Sequence, residues 1–121
     1  MSASESGPQP EQVVSNSGPL ISLAAIGRLD LLQAVFGKII IPQAVYDEVV
    51  VHAAGEPGSR EVSAAGWIEI VRVRDRLAVD LLREVLDAGE SEAIVLAREL
   101  SARWALLDDA SARRKARVLG I

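Results

Sequence analysis

Six oxygen-bearing side chains are candidates for a site at the carboxyl ends of the predicted strands. In open parallel sheets ligands collect there, because the loops converge and the helix N-termini point toward the site. Glu48 differs from the others, since it lies about two turns into the helix that follows Ile39-Ile40-Ile41. A helix that leans over the end of the sheet would still aim it inward. The six candidate residues are Asn16, Glu48, Glu90, Glu92, Asp108 and Asp109.

This donor set offers oxygen and no sulfur. The chain has no cysteine, and its single histidine is His52. Carboxylates without a cysteine or histidine cluster suit Mg²⁺ or Mn²⁺ far better than zinc. Such ions bridge phosphate oxygens and activate water, so the set permits metal-assisted hydrolysis of phosphodiesters.

A second interpretation of the same acids stays open. Acidic residues at helix starts cap free amides and favour the helix dipole, which explains Glu90, Glu92 or Asp109 equally well when each is taken singly. For Glu48 the alternative is a solvated helix face. If all the acids are caps, the chain is a plain α/β module that binds a small ligand.

The composition excludes several kinds of partner. The 121 residues carry a formal net charge of −4, which argues against coating nucleic acid through general electrostatics. Aromatic residues make up 3% of the chain, too few for a platform that stacks successive unpaired bases. A bound nucleic acid would be held through its backbone, for which the basic candidates are Arg113, Arg114 and Arg117. Basic residues late in a helix also favour its dipole, and this alternative stays open.

Other catalytic chemistries are poorly supported. Ser15 and Ser17 could act as nucleophiles only beside a base, and nothing in the sequence ties His52 to them. Ser17 precedes a helix and could help to cradle a phosphate. The chain nevertheless has neither the P-loop pattern nor the dinucleotide-binding glycine pattern, so ATP or NAD binding is unsupported.

Four apolar runs alternate with segments of helical periodicity. The predicted strands are Val13-Val14, Ile39–Ile41, Trp67–Val71 and Trp104–Leu107. The predicted helices cover 20–29, 30–36, 42–52, 60–65, 77–86, 90–100 and 112–119. This alternation predicts a three-layer α/β/α sandwich with a mainly parallel sheet.

The chain is expected to form one domain. Residues 1–12 have the composition of a disordered lead or a cloning remnant, which leaves residues 13–121 for the fold. No stretch approaches the length of a membrane span, and the first residues lack the basic and apolar regions of a signal peptide. We therefore expect a cytoplasmic protein.

Four segments resemble, in order, the motifs of PIN-domain proteins related to the VapC ribonuclease toxins. They are residues 13–21 with 27–32, residues 41–49, residues 89–94 and residues 106–113. The resemblance implies a PIN-like fold and a Mg²⁺ or Mn²⁺ site of clustered acids that cleaves single-stranded or structured RNA. It also implies an antitoxin protein as the usual partner.

The resemblance gives each candidate a position. Glu48 falls on the second acidic position of the family and Glu90 on the third, with Glu92 as an alternate. Asp108 and Asp109 fall on the fourth. The first position, which is Asp in many members, is Asn16, as in one branch of the family. An amide oxygen can bind Mg²⁺ but brings no charge, so it should hold the ion less tightly than a carboxylate.

The resemblance also predicts what the chain lacks. Residues 13–121 stop before the last strand and helix that are usual in the family. The exposed sheet edge and apolar surface need a cover, for which a partner chain is the simplest, either an antitoxin or a second copy. Two functions follow: a metal-dependent ribonuclease of the VapC kind, or a weakened PIN-fold module that binds RNA or a protein without cleavage.

Overall fold

Four parallel strands form the central sheet of the computed structural model, which describes residues 11–107 and residue 117. The strand order is β3-β2-β1-β4. The strands are β1 (Val13–Ser15), β2 (Ile39–Pro42), β3 (Ile68–Val71) and β4 (Trp104–Leu106). Each lies within a predicted apolar run or extends it by one residue, and the prediction of a parallel α/β sheet is confirmed.

Six short α-helices connect the strands within the described residues. They are α1 (Ser17–Ala25), α2 (Asp30–Phe36), α3 (Gln43–Tyr46), α4 (Ser59–Ala64), α5 (Arg76–Leu82) and α6 (Ala88–Glu99). Even α6 has only 12 residues, and in this part of the chain no helix is both long and apolar enough to cross a membrane.

One predicted helix has a different geometry. The segment expected to be helical over 42–52 is α-helical only to Tyr46 and continues as a π-helix, Asp47–His52. A π-helix has a wider turn than an α-helix, so it changes the direction in which its side chains point. Glu48 lies in the first turn of this π-helix.

The strand residues alternate between two cores on opposite faces of the sheet. Val14 and Ile40 pack in one core with α5 and α6, through residues such as Val79 and Ile94. The neighbouring strand residues Val13, Ile39 and Ile41 face the other core, which α1 to α4 and the segment Asp47–His52 cover. The helical residues of this core are Leu20, Leu32, Val45, Val49 and Val62. Apolar strands buried on both faces are typical of a parallel sheet between two helical layers, so the three-layer prediction is confirmed.

Some sequence predictions fall on residues outside the described part of the chain. These are the first ten residues of the predicted lead over 1–12, then Asp108, Asp109, Arg113 and Arg114, and the closing helix over 112–119 except for one position. That position is Arg117, which is helical and exposed.

Ser91, on α6, is a buried serine whose hydroxyl has no hydrogen-bond partner in the described structure. We expect Ser91→Ala to raise the free energy of unfolding by about 1 kcal/mol, because a buried hydroxyl without a partner costs about 1–3 kcal/mol and alanine is the better helix former. Urea unfolding would measure the change. Ser63→Ala, at an exposed position of α4, is the matched control. A gain no larger than that of the control would contradict this assignment.

Candidate active site

A cavity of about 410 Å³ opens where β1 ends and α6 begins. Four of the residues singled out in the sequence line it, namely Asn16, Ser17, Glu48 and Glu90. The other lining residues are Gly18, Ile21, Ser22 and Asp87. The cavity thus brings together the first three acidic positions of the expected site from three separate segments of the chain.

Asn16 joins the end of β1 to the start of α1. Its side-chain Oδ1 accepts a hydrogen bond from the backbone N–H of Gly18 at 3.2 Å, so it is the N-cap of α1. Its own N–H donates to the carbonyl of Leu106 at 3.1 Å and continues the pairing of β1 with β4. Only 1% of the residue is exposed. Asn16 is therefore held firmly at the junction of two strands and a helix.

Glu48 is fixed from two sides. The hydroxyl of Ser17 donates to Glu48 Oε2 at 2.9 Å. On the other side, Glu48 Oε1 lies 3.0 Å from the place where a Cβ on Gly89 would be. The absence of a side chain at Gly89 lets α6 approach this carboxylate closely. Ser17 therefore orients Glu48, and the expectation that it also contacts the phosphate of a nucleic acid stays a prediction.

Glu90 enters the cavity at the first turn of α6. Asp87 caps that helix by accepting from the N–H of Glu90 at 2.8 Å, and Glu90 Oε1 accepts in return from the N–H of Asp87 at 3.2 Å. This capping box fixes the backbone from which both acids project. Sequence reasoning missed Asp87 as a lining residue. The Asp-x-x-Glu spacing before an apolar helix is the signal that could have found it.

Glu92 lies apart from these residues. Its Oε1 accepts from the backbone N–H of Ala44 at 3.0 Å, in the first turn of α3. Its Oε2 accepts from a guanidinium nitrogen of Arg76 at 2.8 Å. Glu92 is buried and does not line the cavity. Two positions along α6 turn a side chain about 200° around the helix, which explains why Glu90 and Glu92 face different partners.

The sequence matches a known protein family along almost its whole length. The family model for DUF3368, a PIN domain, matches residues 12–121. The chain belongs to this PIN-domain family. PIN domains have a nuclease-type fold, and they are typically dependent on divalent metal ions. No curated protein and no solved structure matches the chain.

The cavity of this PIN domain meets part of what a hard divalent ion requires. Glu48 and Glu90 offer carboxylate oxygens and Asn16 an amide oxygen, the donor types that Mg²⁺ and Mn²⁺ prefer. Within residues 11–107 and 117, no three histidine, aspartate or glutamate side chains form a group that could hold a metal ion. The remaining candidates, Asp108 and Asp109, follow the last described residue of that segment, Leu107.

Proposed function

We propose that this PIN domain is a Mg²⁺- or Mn²⁺-dependent endoribonuclease of the VapC toxin kind. The observation that carries the proposal is the meeting of Asn16, Glu48 and Glu90 around one cavity at the carboxyl ends of the strands. A cleft at this edge of a parallel sheet is where such folds bind their ligands. RNA is the proposed substrate, and an antitoxin protein is the proposed partner.

Asp108 and Asp109 complete the proposed site. Leu106 accepts a hydrogen bond from Asn16 N–H, so the end of β4 lies directly beside the cavity. Asp108 follows Leu106 by two residues, which span about 7 Å at most. We therefore propose Asp108 or Asp109 as the further ligand of the ion that Glu48 and Glu90 bind.

Each residue has a role in the proposed reaction. Glu48, Glu90 and one of the two aspartates hold the divalent ion, and Asn16 adds a neutral oxygen. The ion, when bound, neutralises charge on the phosphate and lowers the pKa of water. Ser17 keeps the Glu48 carboxylate turned toward the cavity through its 2.9 Å hydrogen bond. Arg113, Arg114 and Arg117 are the proposed contacts to the RNA backbone.

One observation favours a second function, a module that binds RNA or a protein without cutting. Asn16 is neutral, and its Oδ1 already accepts from Gly18 N–H. A site with one carboxylate fewer attracts a divalent ion less strongly. Asn16 therefore decides between the nuclease and the binder.

The test is cleavage of a fluorescent single-stranded RNA by the wild type and by Asn16→Asp. Each is assayed in Mn²⁺, in Mg²⁺ and with a chelator. We expect metal-dependent cleavage that rises in Asn16→Asp, because the aspartate adds charge while its carboxylate can still cap α1. If both proteins give the same background in every condition, the nuclease proposal fails and the binder replaces it.

Gly89→Ala tests the fit of Glu48 against α6. A Cβ at this position would lie 3.0 Å from Glu48 Oε1 and 3.4 Å from Val45 Cγ2, so the carboxylate must shift. We expect Mn²⁺ affinity, measured by calorimetry, to fall about 3- to 10-fold. Stability should change by less than about 1 kcal/mol, since the better helix propensity of alanine offsets the crowding. Gly66→Ala, with no atom near its added Cβ, is the control. Equal Mn²⁺ affinity in both variants would contradict the prediction.

A further inference from the structure

Two arginine side chains lie at the carboxyl edge of the sheet, outside the cavity. Arg72 directly follows β3, and Arg76 opens α5. Both residues are exposed. Neither belongs to the site predicted from the sequence, although both stand at the edge from which an RNA substrate would reach the cavity.

The register of the sheet fixes the position of Arg72. Extending the pairing of β1 with β2 by two residues beyond Val14 puts Asn16 level with Pro42, and Pro42 pairs with Val71, the last residue of β3. Arg72 comes one residue later. Neighbouring strands are about 4.8 Å apart, so its backbone lies about 10 Å from Asn16, across β2. Within the described residues the Arg72 side chain forms no salt bridge.

Contacts with Glu92 fix the position of Arg76. One of its guanidinium nitrogens donates to Glu92 Oε2 at 2.8 Å, and Glu92 Oε1 accepts from the N–H of Ala44 at 3.0 Å. Ala44 comes two residues after Pro42, so the guanidinium stands at the carboxyl end of β2. The Arg76 side chain is 55% exposed and that of Glu92 only 10%. A buried carboxylate thus orients a cation whose remaining N–H groups can reach solvent.

The cavity, Arg76 and Arg72 follow one another along the sheet edge, at the ends of β1, β2 and β3. At the spacing of neighbouring strands the row is about 10 Å long. The planar guanidinium of arginine binds phosphate oxygens through two parallel N–H groups. Two such side chains in a row that leads away from a cavity suit a strand that carries a phosphate on every nucleotide.

Two further acids of this region are bound to backbone amides. Asp75 caps α5 by accepting from the N–H of Ala78, and Glu99 accepts from the N–H groups of Arg74 and Asp75. Glu99 ends the 12-residue helix α6, whose first turn lines the cavity, so it lies about 13 Å farther along the helix. The backbone of Arg74 is held there. Arg74 is therefore exposed like Arg72 but stands away from the cavity.

We propose that Arg72 and Arg76 bind the phosphate backbone of the RNA strand on the β3 side of the cavity. This inference rests on the proposed function, since it takes single-stranded RNA as the substrate. Glu92 orients Arg76, and Arg72 extends the row by one strand. Because the chain has a net charge of −4, it depends on such local cations to hold a polyanion.

The test is the affinity for a fluorescein-labelled single-stranded RNA, measured by fluorescence anisotropy with a chelator present, so that no metal-dependent cleavage occurs. We expect Arg72→Gln to weaken binding about 3- to 10-fold. The slope of log affinity against log salt should fall by about 0.7, because one phosphate contact is lost. Arg74→Gln makes the same charge change in the same segment and is the matched control, with binding expected within about twofold of the wild type.

A paired exchange tests Arg76 at constant net charge. In Arg76→Gln/Glu92→Gln one cation and one acid are lost together, so a fall in RNA affinity reports the guanidinium itself. We expect a fall of about 3-fold or more. Circular dichroism checks the fold of every variant. Equal affinity of Arg72→Gln and Arg74→Gln would overturn the proposal, as would a paired variant that binds like the wild type or a wild type that binds no RNA.

Cleavage of the same RNA in Mn²⁺ separates this inference from the proposed function. If both hold, Arg72→Gln should raise KM and leave kcat nearly unchanged, since Arg72 stands outside the cavity. Binding that depends on Arg72 without any cleavage would contradict the nuclease alone. Cleavage with an unchanged KM in Arg72→Gln would contradict the assignment of Arg72 alone.

Discussion

Glu48→Gln is expected to lower RNA cleavage by about 100-fold or more, the usual cost of losing a preorganised charged group at a reacting centre. Glutamine has nearly the same shape as glutamate, and its amide oxygen can still accept from Ser17. The substitution therefore removes the negative charge and little else. Cleavage of the fluorescent RNA in Mn²⁺ measures the loss. Glu90→Gln should behave alike, since glutamine also serves in a capping box.

The control separates charge at the cavity from charge elsewhere. Glu61 lies in the first turn of α4 and is exposed, so Glu61→Gln should leave cleavage unchanged. Glu48→Gln and Glu61→Gln are also compared in the Asn16→Asp background, in which we expect the higher rate of RNA cleavage. Cleavage by Glu48→Gln that stays within about twofold of its parent, against an expected 100-fold loss, would remove Glu48 from the proposed site.

Glu92→Ala is expected to reduce the free energy of unfolding by about 2–3 kcal/mol. The carboxylate accepts from Ala44 N–H and from Arg76, so its loss strips an N-terminal hydrogen bond from α3 and leaves Arg76 without this partner. Arg76 is more than half exposed, and water can solvate it, which keeps the cost below that of a fully buried pair. Denaturant unfolding measures the change.

Glu92→Gln distinguishes a structural role from a metal ligand. Its amide oxygen can still accept from Ala44, so it should cost less stability than Glu92→Ala. Its Mn²⁺ affinity should equal that of the wild type, because Glu92 does not line the cavity. A loss of Mn²⁺ affinity in Glu92→Gln would instead support Glu92 as the alternate to Glu90.

The sequence predicted the sheet well because its signals are local. An unbroken apolar run such as Ile39–Ile41 can only be buried on both faces, and the polar residue that follows a strand, such as Asn16, must lie at the edge of the sheet. The π-helix at Asp47–His52 could not be predicted, since no residue type or spacing marks it. It nevertheless forms part of the geometry that presents Glu48 to the cavity.

The choice between Glu90 and Glu92 shows where the sequence was insufficient. Both acids open the same helix, and either suits a helix start. What separates them is the contact of Glu92 with α3, 48 residues earlier in the chain, and with Arg76 of α5, 16 residues earlier. The same limit applies to Ser17, whose bond to Glu48 joins residues 31 positions apart. Pairings of this kind depend on how the layers pack, which periodicity does not describe.

The cavity is assembled from parts of the chain that are synthesised at different times. Its walls come from residues 16–22, from Glu48 and from Asp87 and Glu90. A nascent chain therefore has no complete cavity until residue 90 has left the ribosomal exit tunnel and α6 has docked on the sheet. A ribonuclease reaction of the proposed kind would therefore not begin at this cavity before residue 90 has emerged.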